Sequence, residues 1–122
     1  MAVLLGLGTV GLAREGPIRV PCLGNSVTYG AGLVNTHPER LRVLLGDQCE
    51  ARSFGVSAAT ILNRGDVAYR NQQAFIDVVE FGPTRIVITS GTNDSKTHNC
   101  LYEDELYQVA FRKEIYRSLD QL

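Results

Sequence analysis

Two short apolar runs in this 122-residue chain end in glycine-flanked turns that carry a hydroxyl or an amide. Ile18–Leu23 leads into Gly24-Asn25-Ser26, and Arg85–Thr89 leads toward Gly91-Thr92-Asn93-Asp94. A third run, Cys49–Phe54, leads into Gly55-Val56-Ser57-Ala58-Ala59-Thr60. Serine supplies an oxygen nucleophile, and N–H donors beside it stabilise the oxyanion that forms when that oxygen adds to an acyl carbon. Gly55 brings its N–H close to a ligand because no side chain intervenes. Asn93 adds a side-chain NH2. Donors converging on the Ser26 hydroxyl would serve acyl transfer. Taken singly, each residue has a plainer reading: Ser26 as a helix cap, Gly55 as a turn glycine, Asn93-Asp94 as Asx turns. The case for chemistry rests on all three falling, in order, at one sheet edge.

The elements that would position them alternate. Ile18–Leu23 reads as a buried strand, although Pro21 removes a ladder donor from it. Thr36-His37-Pro38-Glu39 reads as a capping box, opening a helix through Leu41, Leu44 and Leu45 to Gly46. Cys49–Phe54 is a second strand, followed by a short helix around Ile61. Gln72–Phe81 is a helix with Phe75, Val78 and Val79 on one face, closed by Gly82-Pro83. Arg85–Thr89 is a third strand. The final helix, Tyr102–Leu119, has two apolar faces: Tyr102, Leu106, Val109 and Ala110 on one, Phe111, Ile115, Leu119 and Leu122 nearly opposite. Strand–helix alternation predicts an α/β fold with a parallel sheet. Right-handed crossovers then put all three strand-following turns on one edge, where open α/β sheets bind ligands.

Bulk properties exclude several classes. A net charge of −1, with no basic run, gives no electrostatic reason to expect nucleic acid or an anionic membrane. No apolar stretch is long enough to span a bilayer. Cys22, Cys49 and Cys100 have no metal-ligand spacing, and an odd count argues against a complete disulfide framework. Cys22 and Cys49 fall in predicted strands and read as buried small hydrophobes. Residues 1–17 read as an N-terminal extension. Within it, Gly6-Leu7-Gly8-Thr9-Val10-Gly11 matches G-x-G-x-x-G, but Gly16-Pro17 leaves no room for the helix and no acidic residue stands about twenty positions on. Ala2–Leu12 with Gly11-x-Ala13 resembles the apolar region and cleavage site of a signal peptide, without the basic leader. Localisation, cytoplasmic or secreted, stays open.

The three turn segments resemble blocks I, II and III of the SGNH hydrolases, the GDSL-type esterase family. Gly24-Asn25-Ser26-Val27-Thr28-Tyr29-Gly30 is similar to block I, with Asn25 where Asp is usual. Phe54–Thr60 is similar to block II and Gly91–Asp94 to block III. Cys22–Leu33, Ser53–Thr60 and Thr89–Asn99 most resemble a bacterial-type branch of sialate O-acetylesterases and acylhydrolases. The resemblance implies a flavodoxin-like three-layer α/β/α sandwich for residues 18–122. It also implies hydrolysis of carboxylic esters, such as O-acetyl groups on carbohydrate, without metal or organic cofactor. Ser26 would be the nucleophile. The N–H groups of Ser26 and Gly55 and the Asn93 side chain would form the oxyanion hole.

The same resemblance exposes departures. Ala58 stands where this branch often has glycine, and the segment between Gly32 and Leu41 is shortened. The family's Asp-x-x-His block, source of the acid and the base, is absent from this sequence. His37 and His98 read as exposed loop histidines rather than substitutes. The chain therefore reads as the N-terminal part of a hydrolase, with about three of the expected five strands and little activity alone, because a serine hydroxyl needs a positioned base. A non-catalytic descendant that binds carbohydrate or a partner is the competing expectation. Without further strands, Arg85–Thr89 is expected to be an unpaired edge prone to self-association.

Overall fold

The computed structural model describes residues 2–6, 16–100 and 105–120. Strands β1 (Ala2–Gly6), β2 (Ile18–Gly24), β3 (Cys49–Gly55) and β4 (Arg85–Thr89) form one sheet in the order β1-β4-β2-β3. β2, β3 and β4 are parallel. Their order is that of the first three strands of a flavodoxin-like sheet. Helices α1 (Ser26–Tyr29), α2 (His37–Leu45), α3 (Gln73–Phe81) and α4 (Glu105–Asp120) complete the α/β architecture.

Alternation along the strands sorts the core onto two faces. Val20, Cys22, Cys49 and Ala51 point one way and pack with Val87 and with Leu41 of α2. Leu23 and Ile88 point the other way and pack with Ala59, Tyr69 and Val78 of α3. Burial pushes the Cys22 thiol up to about 11, with Cys49 adding to the shift, so both cysteines behave as small hydrophobes.

The central strand accommodates Pro21 for a geometric reason. Alternate peptide groups of a strand face the same neighbour, and the Arg19 carbonyl accepts from Thr84 N–H at 2.9 Å, on the β4 side. Pro21, two residues on, also faces β4, and the β2–β4 ladder begins only at Cys22↔Val87. The missing donor thus falls before the ladder starts.

α2 opens as the sequence indicates. Thr36 N–H donates to Glu39 Oε2 at 2.8 Å, satisfying a group that the first turn leaves orphaned. α3 ends at Gly82, whose φ of 65° suits a residue without a side chain. Phe75 and Val78 of α3 pack on the sheet, but Val79 is 62% exposed and does not share their face.

Two further expectations change. No helix forms around Ile61; its N–H and that of Leu62 bond the Asp94 carboxyl group instead of preceding carbonyls. Nor is β4 an open edge. β1 runs antiparallel along its outer side from Ala2↔Thr89 to Gly6↔Arg85, so part of the N-terminal extension belongs to the sheet. Gly6 consequently lies at the opposite end of the sheet from Ser26, whereas a dinucleotide motif follows the carboxyl end of a parallel strand. Gly8, Gly11, Leu12 and Ala13, which complete the glycine motif and the cleavage-like site, lie outside the described residues. So do Tyr102 and Leu122 of the two-faced final helix, and the side chains of Leu106, Val109, Ala110, Phe111 and Leu119. Among the described residues, no helix is long and apolar enough to cross a membrane.

Removing residues 1–6 would uncover the β4 backbone. The expected outcome is concentration-dependent association in light scattering. A truncated chain that holds its monomer mass at all concentrations would contradict a guarding role for β1.

Candidate functional site

β2 lies between β3 and β4, and the chain leaves it for β3 on one side before returning to β4 on the other. The crevice between the carboxyl ends of β2 and β4 is therefore the switch point, where doubly wound sheets bind ligands. Gly24 is level with Gly55 on one side and with Thr89 on the other. The turns carrying Ser26, Gly55 and Asn93 thus begin from one level of one edge.

Ser26 is exposed at the first position of α1. Asn25 caps that helix: its Oδ1 accepts from Val27 N–H at 3.1 Å, and its carbonyl accepts from Tyr29 N–H at 2.9 Å. An Asn carbonyl oxygen does here what an Asp carboxylate would do, so the departure from the block I pattern leaves the cap intact. The Ser26 N–H has no acceptor among the described residues, as expected for the first turn of a helix.

The glycines beneath α1 are required by close approach. A Cβ on Gly24 would overlap Thr28 Oγ1 and the Thr89 carbonyl oxygen. A Cβ on Gly55 would overlap the backbone at Thr28 and Tyr29. Thr28 is fully buried, and its carbonyl accepts from Ser53 Oγ at 2.7 Å, fixing α1 to β3.

Gly55 N–H approaches Ser53 Oγ at 3.5 Å, a weak contact. Val56 N–H, the next donor, is taken by the Gly24 carbonyl at 2.9 Å. Ala58 offers a further N–H in the same turn. Its φ is 64°, a left-handed conformation that ordinarily selects glycine, and its N–H has no acceptor among the described residues. The signal was in the sequence: Ala58 stands where the resembled branch often has glycine.

Asn93 half-emerges on the β4 side, its Nδ2 donating to the Ala59 carbonyl at 3.0 Å. One amide hydrogen is thereby used for placement, and the second remains a donor. The neighbouring Asp94 is fully buried; its two oxygens accept from Ile61 N–H at 3.1 Å and Leu62 N–H at 2.7 Å. These bonds tie the turn after β4 to the turn after β3.

A second polar cluster flanks Asn93. Asn99 Nδ2 donates to the Asn93 carbonyl at 2.9 Å and to Asp66 Oδ1 at 2.7 Å. Asp66 Oδ2 lies 2.9 Å from His98 Nε2 and 3.6 Å from Lys96 Nζ. The Asn99 amide, then the His98 ring, holds the Asp66 carboxyl well below the usual carboxylate range. His98 is exposed, as expected from the sequence, but it is bonded to a carboxylate rather than free. His37 begins α2 and is half-buried, not exposed; desolvation lowers its pKa. Neither histidine is hydrogen-bonded to Ser26 among the described residues. The cavity between the strand ends, bounded by Leu23, Gly24, Ile61, Tyr69, Ile88 and Ser90, has a volume of about 10 Å3. That is room for a water molecule at most.

The chain is 42% identical over 106 residues to an acetylxylan esterase of Xylanibacter ruminicola. The match covers 84% of this chain and 22% of that protein, so the chain spans about a fifth of the length of the curated relative it matches. No family model matches the chain. No solved structure matches it.

Three outcomes are expected. Gly55→Ala forces α1 off β3 and costs about 1–3 kcal/mol, read as a lower urea midpoint. Ala58→Gly relieves the left-handed strain, gaining about 1 kcal/mol and raising Tm by about 4 °C. An unchanged Gly55→Ala or a destabilised Ala58→Gly would contradict these contacts. The third concerns pH. Because the folded Asp66 pKa is depressed, its contribution is full above the unfolded value near 3.8 and is lost as pH falls toward the folded value. Asp66→Asn should therefore melt below the parent chain at pH 7, with the gap closing only below about pH 4. A gap that closes near pH 6 would show that another group is responsible.

Proposed function

We propose that this chain carries the nucleophile and oxyanion-binding part of a serine esterase of SGNH type, acting on short acyl esters of carbohydrate such as acetyl groups. One observation carries the reading. An exposed serine, with its own N–H unpaired at a helix start, stands at the switch point of the sheet, and the turn bearing Asn93 leaves the adjacent strand. The likeness to an acetylxylan esterase supports the ester and the carbohydrate.

In this reading Ser26 Oγ adds to the ester carbonyl carbon, and the carbonyl oxygen takes up the negative charge. The Ser26 N–H and the second Asn93 amide hydrogen donate to that oxygen. Such donors act most strongly on charge that appears only in the transition state, and each one is typically worth about 3–4 kcal/mol. Gly55 allows α1 to sit close over β3. Of the donors in the turn after β3, the Ala58 N–H is better available than that of Gly55, which already faces Ser53 Oγ.

Collapse of the adduct expels the alcohol as the sugar hydroxyl, and water releases the acyl group. The base that takes the Ser26 Oγ proton returns it to the departing sugar oxygen and then takes a proton from the attacking water, so both steps need that group beside Ser26 Oγ. His98 is bonded to Asp66 and the His37 Nε2 has no hydrogen-bond partner, so neither histidine reaches Ser26 Oγ among the described residues. We therefore assign the base to a histidine outside these 122 residues and expect the chain by itself to turn over esters very slowly.

Prolonged treatment with a fluorophosphonate at alkaline pH, read by mass spectrometry, tests the assignment without demanding turnover. Expected is slow phosphonylation confined to Ser26, absent in Ser26→Ala and slowed about 100-fold in Asn93→Ala. Labelling spread over other serines, or indifferent to Asn93, would remove the esterase reading.

A further inference from the structure

An acyl site between β2 and β4 leaves open where the alcohol portion of the ester lies. Next to α1 the fold has a cleft of about 380 Å3, between that helix, the start of α2 and β3. This is within the size range of small-molecule sites. Tyr29, Leu33, Thr36, Glu39 and Arg42 contribute to its walls, with Ser53 at the β3 side.

Its position relative to Ser26 follows from helix geometry. Residues three apart in a helix are neighbours on one side, so Ser26 and Tyr29 stand next to each other on α1. Both are exposed, with Tyr29 at 55%, while Thr28 beside them is fully buried. The Tyr29 ring is therefore the connection between the nucleophile and the cleft.

The lining chooses among ligand chemistries. Glu39 and Arg42 carry opposite charges; hydrogen bonds from the Thr36 N–H and hydroxyl, more than the charge of Arg42, hold the Glu39 carboxyl below its usual range. The Arg52 guanidinium is turned to Glu50 and lies 4.7 Å from the Phe81 ring centroid, so it is engaged elsewhere. An acidic ligand would meet the Glu39 carboxylate along with the Arg42 guanidinium, and an alkyl chain would strand the polar walls. One exposed aromatic ring with hydroxyl, carboxylate and guanidinium groups around it matches a neutral sugar. The apolar face of the sugar lies on the ring, and its hydroxyls meet the polar rim.

Resting on the esterase reading, we infer that this cleft is a subsite for the neutral pyranose chain adjoining the ester, with Tyr29 as its stacking platform. The chain then extends from Ser26 over Tyr29 toward the start of α2, and the subsite favours uncharged sugar polymers over uronic-acid polymers.

The test is an amide-shift titration of the full isotope-labelled chain with xylotetraose and, separately, with tetragalacturonate. Expected are saturable shifts clustered in residues 29–42 with xylotetraose and weaker binding of the acidic sugar. Tyr29→Ala should weaken xylotetraose binding about fivefold to tenfold, and Tyr29→Phe, which keeps the ring, should bind within about twofold of the parent. Shifts centred elsewhere, equal binding by Tyr29→Ala, no saturable binding, or preference for tetragalacturonate would each overturn the subsite. The esterase reading fails separately. Asn93-dependent phosphonylation without xylotetraose binding removes only the subsite. Binding at Tyr29 without such phosphonylation removes the esterase and leaves a sugar-binding cleft.

Discussion

A buried carboxyl group holds the candidate site together. Asp94 has no solvent exposure, and its two oxygens accept the N–H groups of Ile61 and Leu62, more than thirty residues earlier in the chain. An acid removed from water without partners would cost several kcal/mol, so the position is tolerable only with both donors in place. The constraint works in both directions. It fixes the turn after β4, and it holds the segment after β3 away from helical pairing. Asn93, one residue earlier, adds a bond to Ala59 in the same segment. The left-handed Ala58 is thereby kept in a conformation that its side chain disfavours.

α1 is positioned by contact rather than charge. It is a single turn, too short to persist unaided in water. Capping by Asn25, burial of Thr28, the Ser53 bond and two glycines without room for a Cβ press it onto the strand ends. The exposed serine at its start therefore stands on a rigid base, as a preorganised group must.

Much of this was legible in the sequence where local chemistry and global packing agree. Apolar runs bounded by glycine-containing turns located β2, β3 and β4, with Arg85–Thr89 matching to the residue. The Thr36–Glu39 pair located the start of α2 because its reciprocal bonding is local. What stayed hidden depends on distant partners. Ile61 and Leu62 look helical until Asp94 takes their N–H groups. Val79 looks like a core residue beside Phe75 and Val78, yet the short α3 presents it to solvent. Ala2–Leu5 carries too little pattern to reveal an antiparallel partner in β4. Around the candidate site, it was readable that Ser26, Gly55 and Asn93 lie at or after the ends of β2, β3 and β4. The competition for the Gly55 N–H was not, because it depends on where Ser53 Oγ points.

The outer flank of β4 is a single berth. β1 occupies it in the antiparallel sense, from Ala2↔Thr89 to Gly6↔Arg85. In a flavodoxin-like order, the next parallel strand would dock along that same flank. The two arrangements are mutually exclusive, because one row of outward-facing peptide groups can pair with only one neighbour. Any enlargement of the parallel sheet beyond β4 must first evict the opening residues of the chain.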